Sequence, residues 1–254
     1  MPPTEYGQPD PFGVTHWSLI VAAGKTQSDP EVASAALAQL CQTYWPPLYN
    51  YVRSHGYSVH DAQDLTQGFF AHLIEHKIHM RADRDKGKFR SFLLASLKNF
   101  LSHAREREQA LKRGGDRDFL PLDEGRAEEA ESLFQTQCSS NSGALPQDRL
   151  FERAWAQTVI ATALSRLAAT YNAEGKQNLF ESFSRFLTIG ADPLPSYSEL
   201  AARLSVTEST VRSQITRLRA EYRQILRAEV RRTVETETEV DGELRELLRV
   251  LIEH

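Results

Sequence analysis

Cysteine is nearly missing from this chain of 254 residues. Cys41 and Cys138 are its only two, too few and too far apart for a disulfide framework or a zinc-finger ligand set. A reducing cytosol is therefore the expected compartment. Long apolar runs are missing too: no stretch approaches the ~18 apolar residues that mark a membrane span. The opening MPPTEYGQPDPFG has neither the basic nor the apolar region of a signal peptide. A cytoplasmic protein without membrane contact is expected. No glycine-rich phosphate loop and no nucleophile triad occurs, so the sequence assigns no catalytic residue, no cofactor and no metal. Strand-type alternation of β-branched residues is nearly absent as well, which leaves helices to build the core. With 41% hydrophobic residues, the chain can bury a core as one large domain or two small ones.

A large net charge is also lacking. The formal value of -4 argues against wholesale polyanion binding, but the charges are unevenly spread. Residues 77–113 hold eleven Lys or Arg against four Asp or Glu, and residues 193–234 hold eight Arg against four Glu. Between these basic blocks, residues 119–148 carry six acids and one Arg; from residue 235 onward there are seven acids and two Arg. This alternation suits two surfaces that touch nucleic acid, separated by a segment that avoids it.

Helical periodicity predicts an all-α protein: two small helical domains joined by a flexible acidic linker, the second containing a helix-turn-helix. Residues 1–28 form an N-terminal extension. The first domain, 29–115, opens at Asp29 with Val32, Ala36, Leu37 and Leu40 at helical spacing. Pro46 and Pro47 then start a new segment that ends at Gly56. Ser58 and Asp61 read as a capping-box variant for the next helix, with Leu65, Phe69 and Leu73 on one face. A long helix from about 88 to 113 follows, with Phe89, Phe92, Leu93, Leu97, Phe100 and Leu101 as its apolar positions. Residues 116–147, rich in Asp, Glu, Ser, Gly and Pro, read as the linker. The second domain, 148–234, has Phe151, Trp155, Val159, Leu164, Leu167, Leu179, Phe183 and Phe186 as core candidates. The tail, 235–254, places Leu244, Leu247, Leu248 and Leu251 on one face of an amphipathic acidic helix.

The sharpest local signal is YSELAARLSVTESTVRSQITRLR, residues 197–219. Ser196 and Glu199 make a capping box for a short helix with Leu200, Ala201 and Leu204 inward. Ser205 and Val206 turn the chain. Thr207 caps a second helix with Val211, Ile215 and Leu218 inward. The outer face of that helix presents Ser209, Thr210, Arg212, Ser213, Thr216 and Arg217. Arginine forks read guanine edges and hydroxyls hold phosphates, so this face suits a DNA major groove. The plain alternative is a helical hairpin with a solvated arginine-rich face.

This segment resembles the second module of the extracytoplasmic-function (ECF) sigma factors, through Tyr197, Glu199, Ala201, Val211, Arg212, Ser213, Arg217 and Arg219. The first domain extends the resemblance. Asp61, Ala62, Gln63, Asp64, Leu65, Thr66 and Gln67 look like the acidic polymerase-binding stretch of that family. GKFRSFLLASLKNFL, residues 87–101, looks like its promoter-melting helix. The likeness covers about two thirds of the chain, in the family's order. It implies a protein that binds core RNA polymerase, through the beta-prime clamp and beta flap, and directs it to promoter DNA. Asp61, Asp64 and Gln67 would face the clamp. Arg84, Lys86, Lys88, Phe89, Lys98, Asn99, Arg105 and Arg107 would serve the -10 side, where aromatic faces stack on unpaired bases and cations track phosphates. Ser209, Thr210, Arg212, Ser213, Thr216 and Arg217 would read the -35 element. For Phe92 and Phe100, core packing is the stronger expectation.

Departures from the family pattern carry further expectations. Gln63 stands where the family has an acid, and Thr66 follows it on the same helix. Phosphorylation of Thr66 by a Ser/Thr kinase would restore negative charge there; the alternative is a helical threonine packing locally. The linker is longer than usual and would either run through the polymerase as a polyanion mimic or act as a solvated tether. The acidic linker and tail would weaken DNA contact in the free protein. Two rival functions stand beside the sigma factor. One is a helix-turn-helix regulator that binds duplex DNA without polymerase. The other is a zinc peptidase, from His72, Glu75 and His76 in HLIEH, whose helix is already explained by its apolar spacing.

Overall fold

The computed structural model describes residues 30–76, 78, 88–110, 124–140, 146–187, 194–234 and 236–252. Among them every regular element is helical. The chain forms two compact units, one from Met1–Thr158 with Arg231–His254, the other from Val159–Val230.

The first unit starts with helix α1, Pro30–Ser54. Proline at the first helical position loses no hydrogen bond, but Pro46 and Pro47 lie inside the same helix. The expected break at these prolines therefore does not occur. An interior proline costs about 3 kcal/mol. Here that cost is met by burial of Tyr44, Trp45, Leu48, Tyr49 and Val52, all at most 3% exposed. At Gly56 the backbone takes φ of 83°, a left-handed conformation that glycine adopts without strain, and α1 ends as the sequence predicts. Helix α2, Val59–Glu75, begins where Ser58 accepts the Asp61 amide at 3.1 Å. It buries Ala62, Leu65, Phe69, Phe70 and Leu73, with Phe70 stacked on Trp45 at 5.8 Å.

Helix α3, Phe89–Ala110, buries Phe89, Leu93, Leu94, Leu97 and Leu101. Helix α4, Glu124–Ser140, occupies much of the segment read as a flexible linker. Ala127 and Ala130 are buried, and Glu131 receives hydrogen bonds from Tyr49 at 2.6 Å and from Arg53 Nε and Nη2 at 2.8 and 2.9 Å. The Arg53 guanidinium also lies 4.7 Å from the Phe134 ring centroid. This segment is docked on α1 by small residues and charge, not by a large apolar face.

Helix α5, Gln147–Ala173, and helix α8, Glu208–Thr233, each cross a unit boundary. The start of α5 gives Phe151, Ala154 and Trp155 to the core of the first unit. The unit edges fall after Thr158 in α5 and after Val230 in α8, where the sequence reading set domain edges at 115, 148 and 234. The tail forms the helix its spacing predicts. Helix α9, Val240–Ile252, is preceded by a short 3-10 turn at Glu237–Glu239 and belongs to the first unit.

Between α5 and α8 the second unit contains helix α6, Gln177–Phe183, continued by a 3-10 turn at Ser184–Leu187, and helix α7, Tyr197–Leu204. Its core gathers Leu167, Tyr171, Phe183, Phe186, Leu200, Ala201, Val211, Ile215 and Leu218.

Candidate nucleic-acid interface

In the second unit, local sequence chemistry builds the α7–α8 pair. Ser196 accepts the Glu199 amide at 3.2 Å, and the Glu199 carboxylate accepts the Ser196 amide at 2.8 Å. The Ser196 backbone and hydroxyl thereby hold the Glu199 carboxyl below its usual range. At the far end Ser205 adopts φ of 55°, and the Val206 amide donates to the Ala201 carbonyl at 3.0 Å. This left-handed, six-to-one closure lets the chain reverse within a few residues. Thr207 then accepts the Thr210 amide at 3.2 Å and opens α8.

The inward side of α8 is filled by Val211, Ile215 and Leu218, each at most 1% exposed. The outward side carries Ser209, Thr210, Arg212, Ser213, Thr216 and Arg217, all exposed. The six residues expected to read DNA therefore form one face. Their hydroxyls are organised: Thr207 lies 2.8 Å from Ser209 and 2.9 Å from Thr210, oxygen to oxygen. Thr216 donates to the Arg212 carbonyl at 2.9 Å.

Three positioning contacts at this face were not singled out from the sequence. The Arg212 guanidinium sits 5.8 Å from the Tyr197 ring centroid, a cation–π distance that links the recognition face to the first residue of α7. Arg217 donates to Glu221 at 2.7 Å. Although burial opposes it, the Arg217 and Tyr171 hydrogen bonds hold the Glu221 carboxyl below its usual range. Burial, with help from Glu221, pushes the Tyr171 hydroxyl up to about 12. The spacing of Arg217 and Glu221 was the available signal. Arg219 turns to the Phe186 carbonyl at 3.3–3.4 Å and braces the core.

In the first unit, Asp61 and Asp64 are exposed and Gln67 is half-buried along α2. Asp61 accepts the Ser58 hydroxyl at 2.6 Å. Thr66 is different: it is fully buried, and its hydroxyl donates to the Ala62 carbonyl at 2.7 Å. The expected kinase site is therefore inaccessible in this conformation, and Thr66 packs as a helical threonine bonded to the preceding turn.

The expected -10 surface divides. Arg84 and Lys86 lie outside the described residues. Arg107 falls within α3, but its side chain lies outside them too. Phe89 is 2% exposed and meets Tyr44 edge-on at 5.4 Å, so it is a core residue and not a stacking platform. Lys88 pairs with Glu243, and Lys98 with Asp148 at 2.7 Å. The Asp148 hydrogen bond raises the Lys98 ammonium above its usual range. Asn99 and Arg105 are exposed, with Arg105 donating to the Tyr57 hydroxyl at 2.9 Å. Phe92 and Phe100 are half-buried against Phe89 and Phe69.

For the zinc alternative, the His72 and His76 rings lie 4.3 Å apart and His72 also leans on Phe100. Among the described residues no group of three or more His, Cys, Asp or Glu side chains is placed to hold a metal ion. No described helix is long and apolar enough to cross a membrane. Comparison of the chain with family models, curated proteins and solved structures found no match.

Proposed function

We propose that this chain is an RNA polymerase sigma factor of the ECF type, which binds core polymerase and directs it to specific promoters. It works without catalysis of its own. The observation that carries the proposal is the outer face of α8, where Arg212, Ser213, Thr216 and Arg217 are exposed while Val211, Ile215 and Leu218 anchor the same helix. Arg212 supplies a bidentate fork for a guanine edge, and Arg217 and the hydroxyls hold flanking phosphates. The exposed carboxylates of Asp61 and Asp64 give the first unit an acidic ridge for a basic surface on the polymerase. Asn99 and Arg105 are exposed members of the -10 set among the described residues.

A second function is a helix-turn-helix regulator that binds duplex DNA without polymerase. It is favoured by one specific finding: Phe89 is buried and Lys88 and Lys98 are ion-paired in this conformation. Binding to bacterial core polymerase separates the two. A sigma factor binds core, and Asp61→Asn with Asp64→Asn weakens that binding while leaving the affinity for duplex DNA unchanged. No binding to core would leave the regulator.

A further inference from the structure

The contact at the start of α3 joins residues far apart in sequence. Arg90 is 4% exposed. It donates to Glu152 at 2.8 Å and to Glu243 of α9, and lies 3.9 Å from the Trp155 ring centroid. Lys88, one residue before α3, reaches the same Glu243 carboxylate. Glu243 is only 3% exposed and interrupts the buried stripe of Val240, Leu247 and Val250 along α9.

Part of this carboxylate's role is docking, since it pairs with the buried Arg90 and loss of one partner of such a pair is destabilising. Replacing a buried ion pair with an apolar residue of similar size is often neutral or stabilising, and the rest of the stripe is already apolar. Arg90 keeps Glu152 and Trp155 without α9. Lys88 is another matter. Its side chain is 43% exposed and pairs with Glu243. The first turn of α3 has no acidic residue, so the anion that a helix start and a neighbouring ammonium favour arrives from α9.

We propose that α9 acts as an intramolecular substitute for the promoter phosphate backbone, with Glu243 withholding Lys88 from DNA until α9 is displaced. This rests on the assignment of Lys88 to the DNA-facing side of the first unit. It makes the C-terminal helix an autoinhibitory element, because one ammonium cannot neutralise a buried carboxylate and a phosphate together. Couplings between two such sites are typically worth 5–150-fold in affinity.

The test uses the full chain and a labelled oligothymidylate of about 15 nucleotides, within the span that single-strand surfaces cover. Glu243→Gln removes the charge and keeps the side-chain shape. It is expected to bind the oligonucleotide at least ~5-fold more tightly than the parent. Lys88→Ala alone is expected to change little, and Lys88→Ala added to Glu243→Gln to abolish the gain. No gain in Glu243→Gln, or a gain that survives loss of Lys88, overturns the proposal. Should Glu243→Gln fail to fold, hydrogen exchange on the parent decides. Saturating oligonucleotide is expected to accelerate exchange across residues 240–252, and unchanged or slower exchange overturns the proposal. Neither readout contains polymerase. A gain without promoter-specific initiation would therefore refute the sigma-factor function alone, and initiation with no gain would refute the autoinhibition alone.

Discussion

Replacing Glu131 by Gln removes one negative charge at nearly constant volume, and so measures how strongly α4 is held on α1 by electrostatics. Glu131 accepts from Tyr49 and twice from Arg53, with Arg53 and Glu131 side chains only 18% and 14% exposed. Chiefly through Arg53, the carboxyl is lowered from 4.5 to about 2. At 1.36 kcal/mol per pH unit that bounds the contribution at about 3 kcal/mol. Partial solvent screening brings it to about 2 kcal/mol, within the range for hydrogen bonds to charged groups. For a domain of this size the thermal midpoint should fall by about 4–8 °C at neutral pH. Because the folded value is depressed, the contribution is complete above the unfolded value and is lost as pH falls from about 4.5 toward 2. The parent-minus-variant difference, followed by circular dichroism melts, should therefore be flat from about pH 7 to 5 and shrink below that. A difference under ~1 °C at pH 7, or one that persists unchanged to pH 2.5, would refute the assigned hold.

Other outcomes follow from single side chains. Ser196→Ala removes half of a capping box and should cost about 1 kcal/mol in denaturant melts of the second unit. Ile215→Ala, from the centre of that core, should cost about 2–5 kcal/mol and abolish duplex binding with it. Arg212→Ala should lose about 1–3 kcal/mol of discrimination at one base pair while the fold is unchanged, whereas Arg217→Ala should weaken binding to all sequences alike and reduce the salt slope by about one; competition binding across salt separates the two. Thr66→Glu, a charge mimic forced into a buried site, should destabilise by several kcal/mol, while Thr66→Val is tolerated; equal melting of Thr66→Glu and parent would restore Thr66 as a modification site.

The α7 and α8 helices were legible because their determinants are local. The capping residues Ser196, Glu199 and Thr207 sit within three residues of the amides they satisfy, and the buried positions recur at helical spacing. Where the sequence misled, the deciding partner was distant. Pro46 and Pro47 signalled a break, but their cost is overridden by aromatic side chains that find their burial in the folded unit. The segment around Glu131 looked like a tether because its buried residues are alanines; its anchor, Arg53, is 78 residues away. The basic positions are visible in the sequence, but their acidic partners are not. Lys98 meets Asp148, and Arg90 meets Glu243 across 153 residues. Part of the charge alternation that suggested two DNA surfaces is thus neutralised within the fold. Phe89 illustrates the same limit, since periodicity alone does not tell a stacking ring from a packed one.

Run-off transcription with bacterial core polymerase, on DNA from upstream of this protein's own gene, tests the central claim most directly. The account predicts a discrete start site that appears only when the chain is added, and a loss of that transcript with Arg212→Ala. Duplex DNA binding with no specific initiation and no association with core polymerase would contradict it.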